Sequence, residues 1–312
     1  LDSVSCTITN VDGSTAPVAG FANGNSVILH GGQSLDCTFT NRPLGTTMSC
    51  STGYIYAMAA AGVIQRVYNG VTSPLPGGFT GVVDVNGLAI TSNGGTVWAY
   101  DRATTGNPEI ANQIRSILRY DPATGTYTSI PNSGFTAAAG INFVTGAYDN
   151  KLNRYVFGGY EQAGGRDILH IWAFNPATST RTYLGSADTG PNVGGSTVNG
   201  DFAFDSAGNL FALRSRSTDV QIVSISAAAI AGANGGTLPA FSMTAGTQPA
   251  IVDPNGIAFD TDGTIWLGNT TTAARFDPTT WAQIGSSVSL GASTYSVDLS
   301  SCAAPASLTI VK

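Results

Sequence analysis

From residue 50 onward, short alternations of apolar and polar residues recur in pairs. "NGLAITSNGGTVWAYD" from Asn86, "GAYDNKLNRYVFGGY" from Gly146, "NGDFAFDSAGNLFALRS" from Asn199 and "NGIAFDTDGTIWLGN" from Asn255 share one form. Each is an alternating strand, a turn holding Asn, Asp or Gly, and a second strand carrying aromatics. A period of two around such turn residues predicts β-hairpins. Gly87, Gly146, Gly200 and Gly256 open these hairpins at intervals of 59, 54 and 56 residues. Three units continue into a second shared phrase: "RYDPATGTY" from Arg119, "AFNPATSTR" from Ala173 and "RFDPTTWAQ" from Arg275. Asp or Asn before Pro starts a type I turn, because the side chain caps the turn and Pro pre-sets φ. Four strands per unit at this period predict the blades of a β-propeller.

The ends of the repeat supply one more blade. "YSVDLSSC", residues 295–302, reads as a first strand without a second. "GYIYAMAAAGVIQRVYNG", residues 53–70, reads as a second and third strand without a first. Joined, they close a ring with no open sheet edge. The count is then five blades, with six as the alternative because blade lengths vary. Ring closure brings Cys50 and Cys302 together at the seam, so these two are paired. Loop entropy gives a crosslink over such a span about 4 to 5 kcal/mol.

Residues 1–49 lack the repeat. "SVSCTIT", "NSVILH" and "SLDCTFTN" read as strands, with a weaker one near Val18–Phe21. Val4, Cys6 and Ile8 share one face of the first, and Leu35, Cys37, Phe39 and Asn41 one face of the last. That places Cys6 opposite Cys37 inside a small sandwich-like module. The expected organisation is all-β: this module over 1–49, the propeller over 50–302, and a linker with an extended strand over 303–312.

Composition narrows the setting. Only 10% of the 312 residues are charged and 39 are Gly, which suits an extracellular β protein covered by small polar side chains. A net charge of -6 without a Lys/Arg run argues against nucleic acid and anionic membrane as partners. The longest apolar segment, residues 54–64, is too short to span a bilayer. Four cysteines without a CxxC pair, beside two histidines, favour two disulfides over a zinc site.

The first module resembles a known family at "SVSC" and "GGQSLDCTFTNRP". These stretches are similar to the carboxy-terminal half of the prealbumin-like (Cna-B type) domains of bacterial surface proteins, which end in a C-T-F-T-N strand and begin with an L-T-I-x-K strand. Here the "first" strand lies at the other end of the chain, in "SLTIVK". The propeller resembles NHL-type and streptogramin-lyase-like propellers at "PNGIAFDTDGTIW".

The split module implies a joint. Ser307, Leu308, Thr309, Ile310 and Val311 form a donor strand, and Val4, Ile8, Val27, Leu29, Leu35 and Phe39 line the groove that accepts it, with Leu308 and Ile310 as anchors. Joined head to tail, such subunits build an open filament or surface array. The expected function is a non-enzymatic structural or adhesive subunit, extracellular or on a bacterial cell surface. Its partners are other copies of itself or neighbouring domains, with a glycan or protein receptor beyond them. One alternative is a segment of a longer multidomain adhesin. Another is a propeller enzyme of lyase or lactonase type, or a glycan-binding head. The resemblance also raises an isopeptide bond between Lys312 and Asn41, with Asp2 in place of the Glu that the family has and this module lacks, against a hydrogen-bonded or solvated Lys312 as the default reading.

Catalytic, cofactor and metal residues are not assigned. His30 and His170 have no partner near in sequence and read as packed or solvated. Asp260 and Asp262 in "FDTDGT" read as hairpin-turn residues, not calcium ligands. Glu109 and Glu161 read as loop residues, which argues against paired-carboxylate glycoside hydrolysis. Arg154, Arg166, Arg214 and Arg216 are candidates for an anion-binding mouth. Trp98, Trp172 and Trp266 read as blade packing. Asn269-Thr270-Thr271 is a glycosylation sequon in a eukaryotic secretory host.

Overall fold

The structure, a computed structural model, describes residues 3–18, 27–40, 48–103, 113–132, 135, 137–138, 140–192, 198–244, 248–291 and 296–305. The chain divides into two compact units, residues 1–44 and 45–312.

The first unit is one antiparallel sheet of β1 (Ser3–Thr9), β2 (Thr15–Pro17) and β3 (Ser34–Thr40), in the order β2-β1-β3. Its register sets Val4 opposite Phe39, Cys6 opposite Cys37 and Ile8 opposite Leu35. Cys6 and Cys37 are bonded across adjacent strands, Cα atoms 4.1 Å apart. Among the described residues this unit is one three-stranded sheet with a short strand at Thr15–Pro17, and residues 19–21 of the weak strand expected near Val18–Phe21 lie outside the described residues. Val27 is half-buried and Leu29 exposed, both outside strands, so they do not line a strand-walled groove. The side chains of Val4 and Phe39, and all of Asp2, Asn41 and residues 307–312, lie outside the described residues.

The second unit is a propeller of five four-stranded antiparallel sheets. The first blade takes β4 (Ile55–Ala59), β5 (Ile64–Tyr68) and β6 (Val71–Pro74). The second is β7 (Val85–Ile90), β8 (Val97–Ala103), β9 (Gln113–Asp121) and β10 (Thr126–Pro131). The third is β11 (Asn142–Asp149), β12 (Arg154–Ala163), β13 (Arg166–Asn175) and β14 (Thr180–Pro191). The fourth is β15 (Asn199–Phe204), β16 (Leu210–Arg216), β17 (Asp219–Ile225) and the short β18 (Phe241–Ser242). Helix α1 (Ala227–Ala231), capped by Ser226, sits between its last two strands. The fifth is β19 (Gly256–Phe259), β20 (Ile265–Gly268), β21 (Thr272–Phe276) and β22 (Gln283–Ser289). Strand β23 (Ser296–Ser300) returns to pair with β4 and completes the first blade from the inside. Cys50 and Cys302 are bonded beside this closure, tying residues 252 apart.

The five inner strands β23, β7, β11, β15 and β19 contact one another in a ring. The repeated glycines are explained there. A Cβ on Gly146 would collide with the backbone of Gly87, one on Gly256 with Leu299, and one on Gly200 with Leu213 and Tyr160. Between blades the sheets bury apolar faces. On β13, Leu169, Ile171 and Ala173 pack toward the fourth blade, with Phe202, Phe204 and Leu210. Trp172 and Phe174 pack the other way, with Tyr100 and Ile114 of the second blade. Each large side chain buried in this way contributes about 1.5–3 kcal/mol. The Asx-Pro turns form as the sequence predicts: Asp121, Asn175 and Asp277 accept backbone N–H bonds from Ala123, Ala177 and Thr279, each at 2.9 Å.

Candidate functional site

The propeller axis is sealed. Asp201 on β15 and Asp298 on β23 are both fully buried in the ring of inner strands. Asp201 accepts N–H bonds from Phe202 at 2.6 Å, Ile257 at 2.9 Å and Gly146 at 3.4 Å, which tie together three neighbouring inner strands. Asp298 accepts from Leu88, which ties the first blade to the second. The two carboxyl groups interact with each other. Burial pushes the Asp298 carboxyl up to about 7, and it pushes Asp201 well above the carboxylate range, with the Asp298 charge adding to it. One proton shared by two buried acids spares the axis two unpaired charges. Tyr155 closes the same region by donating to the Gly87 carbonyl at 2.6 Å. Because neither carboxyl reaches solvent, the pair is a structural key and not a substrate site. Its signal in the sequence was an Asp inside each of two otherwise apolar inner strands, "GDFAF" and "VDLS".

A hydrogen-bonded cluster of titratable side chains lies on the third blade. His170, read from the sequence as lacking a partner, has two. Its Nε2 lies 2.9 Å from Glu161 Oε2, and its Nδ1 lies 2.9 Å from the Tyr183 hydroxyl. Glu161 is on β12, which corrects its reading as a loop residue. Register makes the cluster. The hairpin turns at Gly164-Gly165, pairing Ala163 with Arg166, so Glu161 faces Ile168 and Gly159 faces His170. Glu161 is thus a diagonal neighbour of His170 on the same face. On the other side, a bulge between Ile171 and Trp172 sets Tyr183 opposite Trp172, one step from His170. Trp172 supports the assembly: its ring lies 4.9 Å from Tyr183 and 6.1 Å from His170, centroid to centroid. Phe135 covers the far side of Trp172 at 5.7 Å. His170 and Glu161 both keep solvent contact, with side chains 16% and 35% exposed.

A carboxylate can only accept, so Glu161 takes the Nε2–H and leaves Nδ1 as the acceptor for the Tyr183 O–H. The result is a carboxylate–imidazole–phenol chain whose phenolic end is half-buried. It can move a proton between a group at Tyr183 and the imidazole, with the Glu161 charge compensating the imidazolium.

The remaining polar residues are engaged elsewhere. Arg154 pairs with Asp149, Arg166 with Asp188, and Arg214 with Asp167 and Asp219. Arg154 stands at the opposite end of its hairpin from Arg166, so these arginines do not form the anion-binding mouth considered from the sequence. Arg214 is buried and also donates to the Thr189 and Pro191 carbonyls. Asp260 accepts from the Gly53 and Thr261 N–H groups and from Trp266 Nε1, as a turn residue does. His30 is exposed in the first unit, and Glu109 lies outside the described residues. Among the described residues no three His, Cys, Asp or Glu gather to hold a metal ion.

No family model matches the chain, and no curated protein matches it. The likeness to Cna-B type domains therefore rests on the quoted residues alone. Among solved structures, the chain is similar to a gluconolactonase from Xanthomonas campestris, at 13% identity and a TM-score of 0.44 over 81% of this chain and 80% of that one. It is also similar to a protein of unknown function from Bacteroides caccae, at 11% identity and a TM-score of 0.40 over 76% and 73%. At these values the likeness is one of β-propeller fold. The expectation of a non-enzymatic structural or adhesive subunit joined head to tail is corrected here. The chain assembles a hydrogen-bonded group of titratable side chains, Glu161–His170–Tyr183, that the sequence reading had missed. The two disulfides mark a non-cytoplasmic protein. No helix among the described residues is long and apolar enough to cross a membrane.

Proposed function

We propose that the chain is an extracellular propeller hydrolase whose acid–base group is Glu161–His170–Tyr183. The observation that carries this reading is the continuous hydrogen-bonded chain, 2.9 Å at both links, ending in a phenol with solvent contact. Lactones, the substrate class of the gluconolactonase named above, are the first class to try.

The chemistry needs only water as co-reactant. His170 Nδ1 takes the Tyr183 proton while the Tyr183 oxygen draws a proton from water. The water oxygen bonds to the lactone carbonyl carbon. Collapse of the tetrahedral adduct breaks the ring C–O bond, and the leaving alkoxide recovers a proton from His170 through Tyr183. Glu161 holds the imidazole in its tautomer and balances the charge while the proton rests there. The product is an open-chain hydroxy acid.

The test is hydrolysis of a panel of aldonolactones, followed by base uptake at constant pH. Turnover above the buffer rate is expected for the native chain. A loss of about 10² to 10⁴-fold is expected for His170→Gln. A native rate no higher than buffer across the panel, or a His170→Gln rate equal to the native one, would overturn the proposal.

A further inference from the structure

The second and fifth blades carry the same Trp and Arg at the same places. Trp98 pairs with Ala89 on the inner strand and with Arg119 on the outer side. Trp266 pairs with Ala258 and Arg275 in the same way. In the fifth blade, carboxylates from the first turn satisfy both donors. Asp260 accepts from Trp266 Nε1 at 3.3 Å, and Asp262 accepts from Arg275. The second blade has lost both acids. "NGLAIT" stands where the fifth blade has "NGIAFD", so Thr91 replaces Asp260, and two residues on Asn93 replaces Asp262.

The donors remain. Trp98 Nε1 is buried and finds no acceptor among the described residues. Thr91 does not replace the lost acceptor, because its hydroxyl is bound to Asn93 and to Thr96 within the turn. Arg119 lies with its guanidinium 6.0 Å over the Trp98 ring and is exposed, with no carboxylate partner among the described residues. Both residues line a groove of about 680 Å³ between the second and third blades. Its other walls set the polar Asn93, Thr128, Asn150 and Asn153 beside Ile130, Tyr148 and Pro176. A buried N–H without an acceptor keeps its desolvation cost, so the site gains from an acceptor.

We propose that this groove binds a carboxylate-bearing sugar, a polyhydroxy acid. Its carboxylate stands where the fifth blade has Asp260 and Asp262, taking the Arg119 guanidinium and, as Arg119 shifts off the ring, the Trp98 N–H. Its hydroxyl groups face the amides and hydroxyls of the groove wall. The site is separate from Glu161–His170–Tyr183, and the inference does not rest on the hydrolase reading.

The test reads binding, not turnover. Four tryptophans give four indole N–H signals in a ¹⁵N-correlated spectrum, and Trp98→Phe identifies one of them. Titration with D-gluconate is compared with sorbitol, which keeps the hydroxyls and lacks the carboxylate, and with acetate, which lacks the hydroxyls. A saturable downfield shift of the Trp98 signal with gluconate is expected, none with sorbitol, and a weaker one with acetate. Arg119→Gln should weaken the gluconate response at least about tenfold. Thr91→Asp, which restores the fifth-blade acceptor in the chain itself, should move the Trp98 signal without ligand and abolish the titration. If Trp98→Phe disturbs the other indoles, Thr91→Asp supplies the assignment. No Trp98 shift with gluconate, the same shift with sorbitol, or an unchanged response in Arg119→Gln would each overturn the site. Acetate matching gluconate would overturn the sugar-acid class.

Discussion

The first turns of the second and fifth blades differ in two acids, in one added residue and in a register shift on the inner strand. Both keep a Trp on the second strand, an Arg across from it, and a Gly-containing hairpin turn. The fifth blade closes its own hydrogen bonds through Asp260 and Asp262, while the second leaves its donors beside a groove. In a repeat protein the shared residues build the blade. Where one repeat keeps the donors and drops the acceptors, the change is one that folding alone does not require.

The strongest way to break this comparison is Asp260→Ala. The carboxylate is buried and serves Gly53, Thr261 and Trp266 together, including a contact with the segment that opens the first blade. Its loss should cost about 3 kcal/mol by denaturant unfolding, whereas Thr91→Ala should cost less than about 1 kcal/mol. Equal losses would show that the two turns are not used differently.

The axial acids sharpen the contrast, because burial makes the folded chain hold protons on them. Folding raises the Asp298 carboxyl from 3.8 to about 7 and Asp201 further. The folded chain therefore holds protons there that the unfolded chain has released. The contribution of the pair is full below the unfolded value and is lost as pH rises from about 4 through about 7. Asp201→Asn, isosteric with the protonated acid, should change stability at pH 5 by no more than about 1 kcal/mol and flatten the fall. Unfolding midpoints at several pH values check both. A native chain that gains stability over that interval would show that the pair is ionised.

The smallest effects are at the arginines. Arg275→Gln breaks a part-exposed pair with Asp262 and should cost about 0.5 kcal/mol, while Arg119→Gln should be neutral within error. A destabilising Arg119→Gln would mean that the cation already serves the fold.

The ring was legible in the sequence because its devices are local or periodic. The glycines at the axis, the Asx-Pro turns and the half-blades at the two ends all repeat, and the seam follows from them. The Glu161–His170–Tyr183 group was not read because nothing in it repeats. It was nevertheless within reach: counting back from the Gly164-Gly165 turn puts Glu161 diagonal to His170. Tyr183 was out of reach, since the bulge beside Trp172 sets its register and no turn signal announces that bulge. The Asp201–Asp298 contact needs the closed ring, and the orphaned Trp98 N–H shows only when two blades are compared atom by atom.

The central claim, that Glu161, His170 and Tyr183 form one acid–base group, is tested most directly by kcat and KM for aldonolactone hydrolysis in the native chain, Tyr183→Phe, Glu161→Gln and the double variant, with melting temperatures alongside. A single group predicts that each single change lowers kcat by about 10² or more with KM nearly unchanged, and that the double variant is hardly worse than either alone. Single variants with native kcat, or losses that track melting temperature, would contradict it.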